Sequence, residues 1–333
     1  MSLTAVARFI KKYTGVLIAL VVIPTLLVVI IVIYKNRIDS QLPILNEPTL
    51  ALFSPKIEGI NTQNLKEPQN LPTRLPVYSI NQNADYLKNN GPLASKFGFT
   101  KSPIQTNDAN LGQGYIYVDE NNVLSIYKNS VAYQKLNLKP QPGNFDKNKA
   151  AEIAKSYLLN LGLDTSTLAV TGSTLESIEG DYILETLDPQ KASFIKLDFG
   201  YTLSGIRTVA SQLVINASVD IYEQITAFNF RALGDTQPLD KYPLTTYKDA
   251  IQALTGGKGK VISMEGLGGY ASQLTDLQKV DATDVYLAYF LPANPQEPLQ
   301  PVWVFEGQTT VKNSTAKIKI AIPAIQERFF KKS

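Results

Sequence analysis

The sequence predicts an α+β protein in which an N-terminal transmembrane helix precedes repeated helix-plus-antiparallel-strand units. Three observations predict it. The stretch Thr14–Tyr34 runs for 21 residues without a charged side chain. Proline then recurs at Pro43, Pro48, Pro55, Pro68, Pro72 and Pro76, where no helical period survives. Beyond it, three passages share one order: a short helical pattern, then two or more strand-like runs.

A bilayer core of ~30 Å needs about 20 apolar helical residues, so residues 14–34 are long enough to span it. Val16, Leu20, Pro24, Leu27 and Ile31 are the expected membrane-anchor positions. Pro24 is tolerated there as a kink, and Tyr13 and Tyr34 bracket the span like an aromatic belt. A cleavable signal peptide is the first alternative, but its apolar region is shorter and ends at small residues. This run ends in Tyr34-Lys35-Asn36-Arg37. A buried core helix is the second, but a helix apolar on every face suits a membrane better at this position. Arg8, Lys11 and Lys12 precede the span and Lys35 and Arg37 follow it. That narrow bias places residues 1–13 in the cytoplasm and the body outside the plasma membrane.

Charge and composition narrow the function. Subtracting those five cations from 32 basic residues leaves 27 against 29 acids in residues 38–333. A slightly acidic body has no electrostatic footprint for nucleic acid. Cysteine and histidine are both absent. Their absence excludes disulfides, thiolate chemistry, Ser-His-Asp catalysis and His-based metal sites. No cofactor is implied.

Residues 35–76 read as an extended Pro-rich stalk. Leu42, Ile44, Leu45, Leu50, Leu52 and Phe53 are too apolar for a free linker, so part of it is expected to lie along the body or to meet another protein. The first α+β unit is placed at 77–140. It has a helix-like stretch at 83–97, interrupted at Gly91-Pro92, and a hairpin of Gly114–Asp119 and Val123–Tyr127 around Glu120-Asn121-Asn122. The second, 141–240, opens with a helix over Asp146–Leu161, with Asp146 as N-cap and Gly162 as terminator. Strand-like runs follow at 181–186, 193–203, 208–215 and 224–230. The third, 241–325, has a helix over Thr246–Thr255 and strands at 285–291, 302–305 and 315–322. Residues 326–333 form a basic tail.

The runs KAAEIAKSYLLNLGL and SQLVINASVDIYEQITAFNF resemble a PepSY-type module. YPLTTYKDAIQAL with DVYLAYFLP and PVWVFEG is similar to the closing repeat of YycH/YycI-class membrane-anchored regulators and to the PepSY repeats of YpeB spore-germination proteins. The resemblance implies an extracytoplasmic body that binds proteins.

Motifs with the residue types of a catalytic or binding site are sparse. Gly256–Gly259 and Gly266–Gly269 lack the rest of a Walker loop. Ser125-x-x-Lys128 and Ser193-x-x-Lys196 match a penicillin-binding-protein motif, but both fall in predicted strands, where residues three apart face opposite ways. Asp119, Glu120 and Asp284 are acids at strand ends. Trp303 is expected in the core. Tyr115, Tyr117, Tyr127, Tyr133, Tyr182, Tyr201, Tyr286 and Tyr289 fall on strands, which suits protein or glycan contact as well as strand propensity. The expected function is therefore non-enzymatic: a single-pass anchored protein whose body binds a partner at the cell envelope. A carboxylate enzyme acting on glycans and a self-associating structural subunit are the alternatives.

Overall fold

In the computed structural model, the residues described are Thr25, Arg37, 39–50, 55–81, 83–108, 111–139, 141–180, 182–186, 188–210, 215–265, 276–292, 294, 296–311 and 314–331. Strands dominate them. In chain order these are β1 (Lys56–Ile57), β2 (Ile60–Asn61), β3 (Arg74–Asn81), β4 (Ile104–Asp108), β5 (Gly112–Val118), β6 (Asn122–Tyr127) and β7 (Ser130–Lys135). Then come β8 (Leu168–Glu179), β9 (Tyr182–Thr186), β10 (Phe194–Leu203), β11 (Ile206–Ala210), β12 (Ile215–Asp220), β13 (Ile225–Arg231) and β14 (Asp235–Pro243). The last are β15 (Lys260–Glu265), β16 (Asp276–Leu277), β17 (Val280–Leu291), β18 (Gln300–Val311) and β19 (Ser314–Pro323). The helices are α1 (Asn90–Lys96), α2 (Lys147–Asn160) and α3 (Tyr247–Thr255).

This corrects the predicted α+β architecture of repeated helix-plus-strand units. Fifteen strands join one sheet, ordered β15-β19-β18-β17-β11-β10-β12-β13-β7-β6-β5-β4. Strand β2 adds to β17, β8 to β10 and β9 to β8. The pairing crosses the expected units: β7 lies against β13, and β11 runs parallel to β17 through Thr208↔Tyr289 and Ala210↔Leu291. Most strands pair with a neighbour in sequence, but the links between the expected units join strands far apart in the chain, and buried faces set their register.

The expected single-pass plasma-membrane architecture, with a cytoplasmic leader and an extracytoplasmic body, is also corrected. Among the described residues no helix is long and apolar enough to cross a membrane. The longest, α2, has 14 residues, or roughly 21 Å at about 1.5 Å each. It carries Lys147, Lys149, Glu152 and Lys155. The anchor positions Val16, Leu20, Pro24, Leu27 and Ile31 lie outside the described residues; within 14–34 only Thr25 is described, and it is helical.

The chain divides into two units. The smaller comprises Met1–Asn46 and Glu327–Ser333. In it the Leu45 amide donates to the Phe329 carbonyl at 2.8 Å, and the Lys331 amide donates to the Leu45 carbonyl at 2.9 Å. Arg328 donates to Asp39 at 2.8 Å, and the Asp39 carboxylate is buried.

The larger unit, Glu47–Gln326, holds every strand. One face of its middle sheet packs beneath α1 and α2. Tyr117, Leu124, Ile126, Tyr133, Leu197, Phe199 and Phe228 meet Leu93, Ala150, Ala154 and Leu158 there. The α2 helix starts where expected. Asp146 caps it, accepting from the amides of Asn148 and Lys149 at 2.8 and 3.2 Å. The helix ends at Gly162, whose φ of 85° is a left-handed conformation that suits glycine. Lys96 donates to the Asn160 and Leu161 carbonyls there. Gly91 and Pro92 do not interrupt α1. Pro92 lies in its first turn, where a missing amide donor costs no helical hydrogen bond.

In the C-terminal strands, α3 is held by a capping box between Thr246 and Asp249. Trp303 is buried as expected, and its indole donates to Thr245 Oγ1 at 3.1 Å. The opposite face forms a second core of Leu50, Ile262, Ala288, Phe290, Val302, Val304 and Ala321.

Candidate functional site

Beyond that second core, on the same alternation, β17, β18 and β19 turn polar. Tyr286 follows Ala288, Glu306 follows Val304 and Lys319 follows Ala321. Register places Glu306 opposite both Lys319 and Asp284. Arg207 arrives from β11, because the Ser204-Gly205 turn folds β10 into β11. Both turn residues have positive φ, 51° at Ser204 and 79° at Gly205. That is the geometry of a two-residue hairpin turn.

One carboxylate oxygen collects the cluster. Tyr286 donates to Glu306 Oε1 at 2.6 Å. The Lys319 ammonium lies 3.6 Å and the Arg207 guanidinium 3.8 Å from the same atom. Both separations exceed hydrogen-bonding distance. The Arg207 guanidinium carbon sits 3.3 Å from the centroid of the Tyr286 ring, a cation–π contact. Burial, and then the Glu306 charge, push the Tyr286 phenol far above its ordinary range, so it keeps its proton.

The cluster forms one wall of a cleft. A chamber of about 240 Å³ is bounded by Gly172 and Asp198 on one side and by Glu306, Gln308, Lys317 and Lys319 on the other. A smaller chamber of about 70 Å³ reaches Arg207 and Tyr286. Thr171, Asp198, Ser263 and Lys319 line both. Asp198 and Glu306 thus share a cleft, but Glu306 is already engaged by one phenol and two cations. The mixed charges of the cleft suit the binding of a polar ligand. Among the described residues no group of three or more acids is placed to hold a metal.

A different feature marks the far end of the sheet. Strand β4 pairs on one side only among the described residues. Ile104 is 62% and Val118 43% exposed. With Ile116 and Val123 they share one face, because Ile104 pairs with Ile116 and Val118 with Val123. The opposite face carries buried Tyr117 and Leu124. Strand β9 is also an edge, but its exposed Ile183 and Leu184 are adjacent and point to opposite faces.

Four of the eight tyrosines expected on strands are core residues. Tyr117, Tyr133, Tyr201 and Tyr289 are buried, and each phenol has an acceptor: Asn90, Asn122, the Arg231 carbonyl and the Pro76 carbonyl. Tyr115, Tyr127 and Tyr286 are half-buried, and the Tyr182 side chain lies outside the described residues. Asp119 accepts from the amides of Asn121 and Asn122, which makes it a turn former. Gly256 and Gly257 end α3, and Gly266–Gly269 lie outside the described residues. Ser125 sits on β6, Ser193 just before β10 and Lys196 on β10. Sequence reasoning does not single out Arg207, Glu306 or Lys319. The signal for Lys319 is the regular alternation Lys317-Ile318-Lys319-Ile320 in β19, which sets both lysines on the face opposite the isoleucines.

No family model matches the chain, and no curated protein is similar to it. Among solved structures, it is similar to the crystal structure of an uncharacterized protein from Eubacterium rectale. The TM-score is 0.47 and the identity 13%, over 83% of this chain and 90% of that one. A likeness of that degree defines neither a shared fold nor a shared function.

Proposed function

We propose that the larger unit is a non-enzymatic binding module that takes an extended segment of a partner protein along β4. The observation that carries this reading is the union of an edge strand with a continuous apolar surface, Ile104, Ile116, Val118 and Val123, on the face away from the core. An open edge offers main-chain donors and acceptors to an incoming strand, and side chains on the adjoining face supply specificity. Edge strands are usually guarded by lysine or proline, and β4 contains neither between Ile104 and Asp108. The partner strand would place an apolar side chain beside Ile104.

Affinity capture with the full chain and with the Ile104→Lys/Val118→Lys variant tests the reading. Both positions are exposed, so the variant should unfold at the parent midpoint. A protein retained by the parent and lost by the variant is the expected result. Identical capture by the two chains would sink the proposal.

A further inference from the structure

We infer that the cleft between β10 and β18–β19 is a receptor for a single carboxylate, held by Arg207, Lys319 and Lys317. This goes beyond the edge-strand reading and stands without it.

The first ground is an excess of unused donors. The Arg207 side chain makes no hydrogen bond among the described residues; its polar contacts are the ring of Tyr286 beneath it and Glu306 at 3.8 Å. Lys319 approaches Glu306 only to 3.6 Å. Exposed Lys317 has neither a hydrogen bond nor an ion pair among the described residues. A guanidinium presents five donors and each ammonium three. Arg207 lines the smaller chamber, Lys317 the larger and Lys319 both.

The second ground is geometry. Arg207 and Lys319 stand 3.8 and 3.6 Å from one oxygen, Glu306 Oε1, and Tyr286 donates to that oxygen at 2.6 Å. The phenol holds Glu306 in place, so the carboxylate neutralises part of the positive field without occupying the cations' donors. Stacking on Tyr286 fixes the guanidinium face. Its edge is left for an in-plane, two-point contact, the geometry that arginine makes with carboxylates.

The third ground is charge. Among the described residues, the chambers are lined by the cations Arg207, Lys317 and Lys319 and the anions Asp198 and Glu306, and Glu265 stands opposite Lys317 in register. Asp284 lies opposite Glu306 in register but lines neither chamber. Beside these fixed carboxylates a monoanion meets less repulsion than a phosphate dianion. The hydroxyls of Thr171 and Ser263 on the shared floor would meet the ligand's neutral polar atoms. Two sources could present the carboxylate: an acidic side chain of a polypeptide, or a free small acid.

The test is titration of the ¹⁵N-labelled full chain, read at the Arg207 Nε–H resonance and assigned by its loss in Arg207→Lys. The probes are N-acetyl-glutamate N-methylamide, glucuronate, the uncharged N-acetyl-glutamine N-methylamide and inorganic phosphate. Saturable shifts with a carboxylate probe and none with the glutamine analogue are expected. Tighter binding of the glutamate probe assigns the source to a polypeptide, and tighter binding of glucuronate assigns it to a small acid. Lys317→Gln changes an exposed side chain and should keep the parent melting midpoint. It should bind the preferred probe roughly tenfold more weakly, as expected for a lost hydrogen bond to a charged group. The inference is overturned by no saturable shift with either carboxylate, by an equal response to the glutamine analogue, or by phosphate binding more tightly than both acids. Unchanged affinity in Lys317→Gln would overturn it as well.

Discussion

Tyr286 and Glu306 sit diagonally across β17 and β18, and the phenol donates to Glu306 Oε1 at 2.6 Å. The bond joins a polar cluster to an apolar face, since Ala288 and Val304 adjoin the pair in the second core. Tyr286→Phe keeps the ring under Arg207 and removes only the donor. A hydrogen bond to a charged acceptor contributes about 1.5–3 kcal/mol. The loss should fall at the low end, because Lys319 and Arg207 still face the carboxylate. Urea unfolding should show a lower midpoint at unchanged slope; a midpoint equal to the parent's would mean that the bond contributes nothing.

Alkaline pH should unfold this protein cooperatively. Burial pushes the Tyr86 and Tyr133 phenols up to about 12, and pushes those of Tyr201, Tyr286 and Tyr289 higher still. A folded pKa raised above the unfolded value of about 10 means that the folded state holds the proton more tightly. That stability is complete below about pH 10 and is lost as pH rises through the folded values. With no histidine in the chain, stability should be nearly flat from about pH 6 to 9. Of the 17 tyrosines, these five should form phenolate only together with the loss of far-ultraviolet circular dichroism. Full phenolate absorbance from all 17 before unfolding would contradict the burial of these rings.

Leu158→Ala should destabilise the larger unit by about 2–5 kcal/mol. Leu158 is fully buried on α2 against the inner face of the middle sheet. Leu159, its neighbour, is 60% exposed, and Leu159→Ala should change stability by less than about 0.5 kcal/mol. Thermal unfolding of the two variants side by side checks the assignment of the helix faces.

Gly307→Ala should be more damaging than Gly205→Ala. A methyl group at 307 would lie 2.5 Å from the Asp281 carbonyl oxygen and 2.9 Å from Ala282 Cα, both backbone atoms of β17. At 205 nothing lies within 4 Å, and the cost is the positive φ alone, about 1–2 kcal/mol. Guanidinium unfolding of both variants gives the order, and the reverse order would mean that the β17–β18 bulge relaxes freely.

Local chemistry is legible in the sequence wherever the signal and its consequence lie a few residues apart. Asp146 and Thr246 announce the starts of α2 and α3, because a cap bonds amides two or three residues on. Ser204-Gly205 marks a hairpin for the same reason. Thr208–Ile215 reads as one strand, yet β11 ends at Ala210 and β12 begins at Ile215. The three passages read as separate units because alternation names a strand without naming its partner.

The sequence by itself determined the chemistry available to this protein: no thiol, no imidazole, many phenols, and helices placed by their caps. Tertiary structure decided where that chemistry converges. Arg207 meets Tyr286 and Glu306 only because β11 pairs in parallel with β17, some eighty residues further along the chain. Tyr117 and Tyr133 became core pins because the sheet turns their face under α1 and α2. A pairing between distant strands is selected by the total area that the faces bury together, and no short window of sequence contains that quantity.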